Sequence, residues 1–215
     1  MNRSANRTKL IFGVLTALFL LLSLLAHLAP RFPGDLQATL LFQSIHSTFL
    51  LAVMEGVSYI TGEWRAALIV ITGGIVVWLR VGRLEASLVV LSGLITIVNE
   101  AIKIAVDRPR PSADLVSIFV NETGSSFPSG HAFFAVLVLG MLTYLAVTHQ
   151  TRPGLKVFTI SVCLILIPWI GISRIYLGLH WVSDVIGGYV IGMLFLLGLI
   201  RLHRALSHGY RTRSP

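Results

Sequence analysis

The chain has 215 residues, 55% of them hydrophobic and only 12% charged, and its mean hydropathy is +0.83. A soluble domain carries about 25% charged residues, so a water-soluble globule is excluded and one polytopic membrane domain over residues 1–215 is the simplest organisation. The net charge of +8 is scattered through short loops and the termini, which excludes a continuous nucleic-acid surface.

Residues 10–29 form the first apolar run, preceded by Arg3, Arg7 and Lys9. The run is longer than the roughly 7–15 residues of a signal-peptide core and lacks an A-x-A end, which predicts a retained transmembrane helix. "RFPGD" then reads as a turn. Residues 36–61 interleave apolar positions with Gln37, Gln43, His46 and Glu55. That pattern predicts one or two amphipathic helices at the membrane surface, with a seventh span as the alternative. Further spans are expected at 66–79, 85–106, 131–148, 155–173 and 182–200. Cys163 lies within one of them; it excludes an internal disulfide or a thiolate metal cluster and reads as a small packing residue. The expected fold is all-α: six transmembrane helices with short interfacial helices.

Charge sets the orientation. With the N-terminus inside, the inner segments hold Arg3, Arg7, Lys9, Arg80, Arg83, Arg152, Lys156, Arg201, Arg204, Arg211 and Arg213, eleven of the seventeen basic residues. The outer six are Arg31, Arg65, Lys103, Arg108, Arg110 and Arg174. The positive-inside bias therefore predicts both termini in the cytoplasm. The basic tail after residue 200 reads as a juxtamembrane segment on the inner leaflet. Four of the outer six fall in two polar segments, 103–131 and 173–184, against the bias, which points to a role other than topology.

Those segments contain three polar clusters. In "KIAVDRPRP", Lys103 ends a helix, where a cation ordinarily snorkels to the interface. Arg110 stands between Pro109 and Pro111, which hold its backbone extended and fix where its guanidinium points. In "SSFPSGHA", Ser129 is a good N-cap and Gly130 leaves bare backbone at a helix start, followed by His131. Such a terminus is either a plain cap with an interfacial histidine or a seat for an anion. In "SRIYLGLHWVSD", a helix from His180 onward would put His180 and Asp184 one turn apart on one face. The aspartate can hold one imidazole nitrogen protonated and leave the other as a nucleophile. Gly178 allows the chain to turn, and Arg174 adds a cation upstream. Cations, a bare amide turn, two histidines and an aspartate on one side of the membrane are the parts needed for phosphoryl transfer without a metal.

The motifs K-x6-R-P (Lys103 to Pro111), P-S-G-H (Pro128 to His131) and S-R-x5-H-x3-D (Ser173 to Asp184) resemble the three-part signature of the type 2 phosphatidic acid phosphatase superfamily, complete and in order over residues 103–184. The resemblance implies a membrane lipid phosphate phosphatase of the six-span branch. His180 would be the nucleophile that forms a phosphohistidine, Asp184 its orienting partner, and His131 the general acid and then base. Lys103, Arg110, Arg174, Ser129 and the Gly130 amide would hold the phosphate. No cofactor and no metal would be required. The implied partners are a lipid phosphate and the bilayer, with no nucleic acid. Phosphatidylglycerol phosphate, undecaprenyl diphosphate and phosphatidic acid are the implied substrates. The implied location is the cell membrane, with the site on the extracytoplasmic side. A phosphotransferase using a polyprenyl diphosphate donor would use the same His180; a lipid flippase would distribute its charges through the membrane depth instead.

Around these motifs, Asp107 and Arg108 read as a local ion pair or as headgroup contacts. Glu100, one turn before Lys103 within a span, is expected to pair with Lys103 or a neighbouring helix. Trp181 is expected at the lipid entrance. The segment before Trp64 is expected to shape the headgroup pocket. His27, His46, His149, His203 and His208 are expected to lie at the interface without partners.

Overall fold

The computed structural model describes residues 3–211; nothing is described for the side chains of residues 3–5, 63 and 208–211. Arg213 therefore lies outside the described residues, as do the side chains of Arg3, His208 and Arg211. Among the described residues every regular element is helical. In order these are α1 (Arg3–Leu28), α2 (Asp35–Gln43), α3 (Thr48–Ile60), α4 (Glu63–Arg80), α5 (Arg83–Ile95), α6 (Val98–Val106), α7 (Gly130–Phe134), α8 (Gly140–His149), α9 (Pro153–Tyr176) and α10 (Val182–Arg211). A π-helical turn, Ala135–Leu139, joins α7 to α8, so residues 130–149 run as one rod.

Among the described residues five stretches are long and apolar enough to cross a membrane: Asn6–Leu28, Arg83–Val106, Gly130–His149, Pro153–Tyr176 and Val182–Ser207. The pair Thr48–Ile60 and Trp64–Arg80, bent by 63°, makes a sixth when its two limbs are taken as one broken span. The expected span at 66–79 is thus the second limb of that pair. The protein is a multi-pass, all-α membrane protein.

Local chemistry explains the breaks. Ser47 caps α3, its hydroxyl accepting from the Leu50 amide at 3.2 Å. Pro153 opens α9, where a missing N–H costs nothing. Asp107, at φ 49°, closes α6 in the left-handed conformation and sends the chain into the Pro-rich loop.

The segment 31–64 contains two short helices, as expected; Gln37, His46 and Glu55 are exposed, but Gln43 turns into the protein. The Gln43 amide donates to Ser117 O at 2.8 Å and Tyr176 O at 2.9 Å and accepts from Ser117 N at 3.0 Å. It ties α2 to the long 107–129 loop and to the end of α9. Asp35 is likewise buried.

Helix α10 is the axis, packing on α1, α2, α5, α7, α8, α9 and the π turn. Lipid tails are as apolar as the core, so helix association here rests on close packing. Gly188 provides it: a Cβ there would stand 2.5 Å from Ser129 O and 2.9 Å from Ala132 Cβ. The start of α7 is thereby pressed onto the first turns of α10. Around this contact Phe127, Phe133, Leu137, Met141 and Leu88 are fully enclosed.

Candidate active site

The third motif is assembled by the chain reversal between α9 and α10. Arg174 O accepts from Leu179 N at 3.0 Å and His180 N at 3.2 Å. Gly178 adopts φ 73° with its Cα against Ser117 O, a conformation and an approach that exclude a side chain. His180 is delivered into the interior at 1% exposure. Its Nδ1 lies 3.7 Å from Asp184 Oδ2 and 3.4 Å from Ser126 Oγ. Asp184 Oδ2 also accepts from the Trp181 amide at 2.8 Å and from the Ser126 hydroxyl.

Arg110 approaches the opposite edge of the same imidazole. Its Nη1 donates to Leu179 O at 2.8 Å and lies 3.4 Å from His180 Nε2, while its Nε donates to Gly124 O at 3.1 Å. A guanidinium only donates, so Nε2 faces it with its lone pair and Nδ1 carries the proton toward Asp184. Burial pushes the His180 pKa down to about 4, against the opposing pull of the Asp184 carboxylate that accepts from it. At neutral pH the ring is uncharged and its free lone pair points at the cations.

Those cations already hold an anion. Glu122 places Oε2 3.1 Å from Arg110 Nη1 and Oε1 on Arg174 Nη2. Burial alone would raise the Glu122 carboxyl, but the Arg174 guanidinium outweighs it and holds the pKa at about 2. The other Arg174 nitrogen, Nη1, donates to Ser58 Oγ on α3, so the segment before Trp64 contributes directly to the cation's placement. Arg174 Nε has no protein partner.

The start of α7 adds polar groups without partners. The buried Ser129 Oγ makes no hydrogen bond, nor do Asn99 Oδ1 and Nδ2. Asn99 faces the cap: a Cβ on Gly130 would lie 3.0 Å from its Nδ2. The backbone here is held by Ser129 N donating to Asp184 O at 3.0 Å. His131, in the first turn, interacts electrostatically with Arg174, Glu122, His180 and Lys103. Lys103 pairs with Glu100 at 3.2 Å, as expected from the sequence. Small cavities of about 240 Å³, bordered by Arg110, Glu122 and Gly178, and about 390 Å³, bordered by Lys103, Asp107 and Gly124, flank the cluster.

All eight expected site residues (Lys103, Arg110, Ser129, Gly130, His131, Arg174, His180 and Asp184) therefore converge at one end of the bundle. Three readings need correction. Arg108 does not pair with Asp107. Because Asp107 takes the left-handed turn, Arg108 points inward and is fully enclosed, donating to Asp184 Oδ1 at 2.5 Å, Asp35 Oδ2 at 2.9 Å and Ser183 Oγ at 2.8 Å. Trp181 is 2% exposed and lines no entrance, because the α10 cap formed by Asp184 draws it inside. His149 and His203 share Glu85, and His203 also meets Tyr144, so neither is without partners. His27 Nδ1 lies 3.0 Å from Val106 O.

The residues that sequence reasoning missed are Asp35, Ser58, Asn99, Glu122, Ser126 and Ser183. A polar residue inside an apolar run was the available signal for Ser58 and Asn99; Asp35 sits in a turn and Glu122 in a polar loop, and neither had one.

The model of the PAP2 superfamily matches residues 84–207, more than half of the chain. Phosphatidylglycerophosphatase B of Bacillus subtilis is 30% identical over 154 residues, covering 70% of this chain and 73% of that protein. A putative undecaprenyl-diphosphatase of Escherichia coli is 30% identical over 102 residues, 47% of each. The crystal structure of a transmembrane PAP2-type phosphatidylglycerolphosphate phosphatase from Bacillus subtilis superposes with a TM-score of 0.79 at 24% identity, covering 90% of this chain and 96% of that one.

Proposed function

The chain belongs to the PAP2 superfamily and is a PAP2-type lipid phosphatase; from that premise we propose that it hydrolyses the headgroup phosphate of a membrane lipid through a phosphohistidine on His180. Phosphatidylglycerol phosphate, undecaprenyl diphosphate and phosphatidic acid are the candidate substrates, the first two in line with the names of its relatives. The observation that carries the reading is the carboxylate of Glu122 held between Arg110 and Arg174 beside His180 Nε2. One guanidinium nitrogen, Arg110 Nη1, thus lies 3.1 Å from a carboxylate oxygen and 3.4 Å from His180 Nε2, which supports a seat for an oxyanion next to the nucleophile.

In the proposed reaction the substrate phosphoryl group replaces Glu122 between the two guanidiniums. Lys103, the Ser129 hydroxyl, the first amides of α7 and the Asn99 amide take its remaining oxygens. The His180 Nε2 lone pair attacks phosphorus. The N–P bond forms as the bond to the lipid oxygen breaks, and that oxygen takes a proton from His131. Asp184 balances the charge gained by the His180 ring. His131 then removes a proton from water, the oxygen bonds to phosphorus, the N–P bond breaks, and inorganic phosphate leaves.

A resident metal is not needed in this scheme. Glu122 is engaged by Arg110 and Arg174, and Asp184 and Asp35 by Arg108, which leaves these carboxylates committed to cations. The basic residues at the opposite end favour an extracytoplasmic site.

The experiment is phosphate release by purified protein from a panel of the three lipids, with and without EDTA. Turnover of at least one lipid that survives EDTA is expected, together with an acid-labile phosphoprotein trapped during turnover. His180→Ala should lower turnover by roughly 10⁴-fold or more. Wild-type turnover in that variant would overturn the assignment of the nucleophile.

A further inference from the structure

At the end of the bundle opposite the phosphate pocket, three side chains from three helices converge without a role in the reaction: Glu85 in the first turn of α5, His149 at the end of α8 and His203 on α10. The rise of 1.5 Å per residue sets His203 about 28 Å from Asp184 along α10. His203 Nε2 lies 3.3 Å and His149 Nε2 3.6 Å from the same oxygen, Glu85 Oε1, and the three donor atoms lie within 4.8 Å of one another. Ligands on a tetrahedral zinc, at bonds of about 2.0–2.1 Å, stand about 3.3 Å apart.

Hydrogen bonding around His149 bears on how its ring meets Glu85. The Thr148 hydroxyl donates its single proton to Tyr144 O at 2.9 Å, and the same oxygen lies 2.7 Å from His149 Nδ1. With its proton on that carbonyl the hydroxyl accepts from His149 Nδ1–H, the tautomer that turns the Nε2 lone pair toward Glu85 Oε1. The lone pair on Nε2 then confronts a carboxylate oxygen, an acceptor facing an acceptor, and a shared cation resolves that opposition. His203 Nδ1 is 2.8 Å from the Tyr144 hydroxyl, so each imidazole has an outer partner that orients its Nε2 toward Glu85.

We propose that Glu85, His149 and His203 form a zinc site that ties α5, α8 and α10 together at this end of the bundle. The ligand set, two imidazoles and one carboxylate, suits borderline divalent ions and leaves a fourth position for water. The site is enclosed without being sealed: His203 is 6% exposed, Glu85 14% and His149 29%. A cleft of about 660 Å³ bordered by Thr72, Arg80, Leu142 and Arg152 opens onto His149.

The test uses tag-free, full-length protein in detergent, stripped with chelator and titrated with Co²⁺. The expected result is one Co²⁺ per chain with the visible bands of a four-coordinate ion, displaced by one equivalent of Zn²⁺, and a raised unfolding temperature. Glu85→Gln should weaken Co²⁺ binding at least about 100-fold, and Thr148→Ala, which touches no metal, about 10–100-fold. Lipid-phosphate turnover of both variants at low temperature should match wild type. Active wild-type protein that shows no stoichiometric Co²⁺ band would overturn the site, leaving a hydrogen-bonded imidazolium–carboxylate cluster. A band retained at full affinity in Glu85→Gln would overturn the assignment of Glu85.

Discussion

Arg108 and Asp184 form an enclosed ion pair, Nη1 to Oδ1 at 2.5 Å with neither side chain exposed. The second arm of the same guanidinium holds Asp35 at 2.9 Å. Removing the cation leaves two carboxylates in the interior, which costs about 3–5 kcal/mol. Arg108→Met is therefore expected to lower stability by that amount in denaturant unfolding. Arg108→Lys should recover only part of it, because an ammonium cannot span both carboxylates as a planar fork does.

In the proposed mechanism Glu122 competes with the substrate for Arg110 and Arg174. Neutralising it without changing its shape should favour any incoming phosphate. A charge-assisted contact is worth about 1.5–3 kcal/mol, so Glu122→Gln is expected to tighten inhibition by inorganic phosphate by about tenfold or more. Competition against a lipid substrate reads this directly. Unchanged or weaker inhibition would mean that the carboxylate does not occupy the phosphate seat.

The acid limb of kcat/KM tests the environment of His180. Its pKa falls from 6.5 to about 4 in the folded protein. The neutral nucleophile is then preserved as pH falls through 6.5 and lost only near 4, so the limb due to His180 should lie near pH 4. Stability carries the same sign. In the unfolded chain His180 binds its proton near 6.5 and in the folded chain near 4, so the folded state is favoured fully above 6.5 and loses that advantage as pH drops toward 4. Glu122, lowered from 4.5 to about 2, adds a loss between those values. Unfolding temperatures should be insensitive to these groups above pH 6.5 and decline below it.

Gly178 tests the turn that delivers His180. At φ 73° and against Ser117 O, Gly178→Ala forces the chain to shift, at about 1–3 kcal/mol of strain. A displacement on the order of 1 Å at a reacting group lowers turnover by about 10²-fold. The variant should lose kcat while the phosphate cations still bind inorganic phosphate.

The three motifs were legible because they announce themselves locally. Proline around Arg110, the Ser-Gly-His helix start and the one-turn spacing of His180 and Asp184 each imply a geometry within a few residues. The supporting residues do not. Asp35 reaches Arg108 across 73 positions and Ser58 reaches Arg174 across 116, and packing alone decides that they meet. Asp35 reads only as part of a turn, and hydropathy registered Gln43 as polar and so placed it at a membrane surface. It carries no information on direction, and both face inward to hold the loops of the site. Asp107 and Arg108 are adjacent and opposite in charge, yet the left-handed turn at Asp107 separates them. The same limit applied to His149 and His203: sequence distance concealed that α8 and α10 end beside Glu85.

The tethered carboxylate between Arg110 and Arg174 makes the resting enzyme selective for how a phosphate arrives. A free phosphate ion brings charge alone and must evict a neighbour anchored by covalent linkage. A lipid headgroup would come with apolar chains that stay in the bilayer, and on the proposed mechanism that contact tips the exchange in its favour. On the proposed mechanism His180 would thus stay shielded in phosphate-rich surroundings until a molecule of the bilayer arrives.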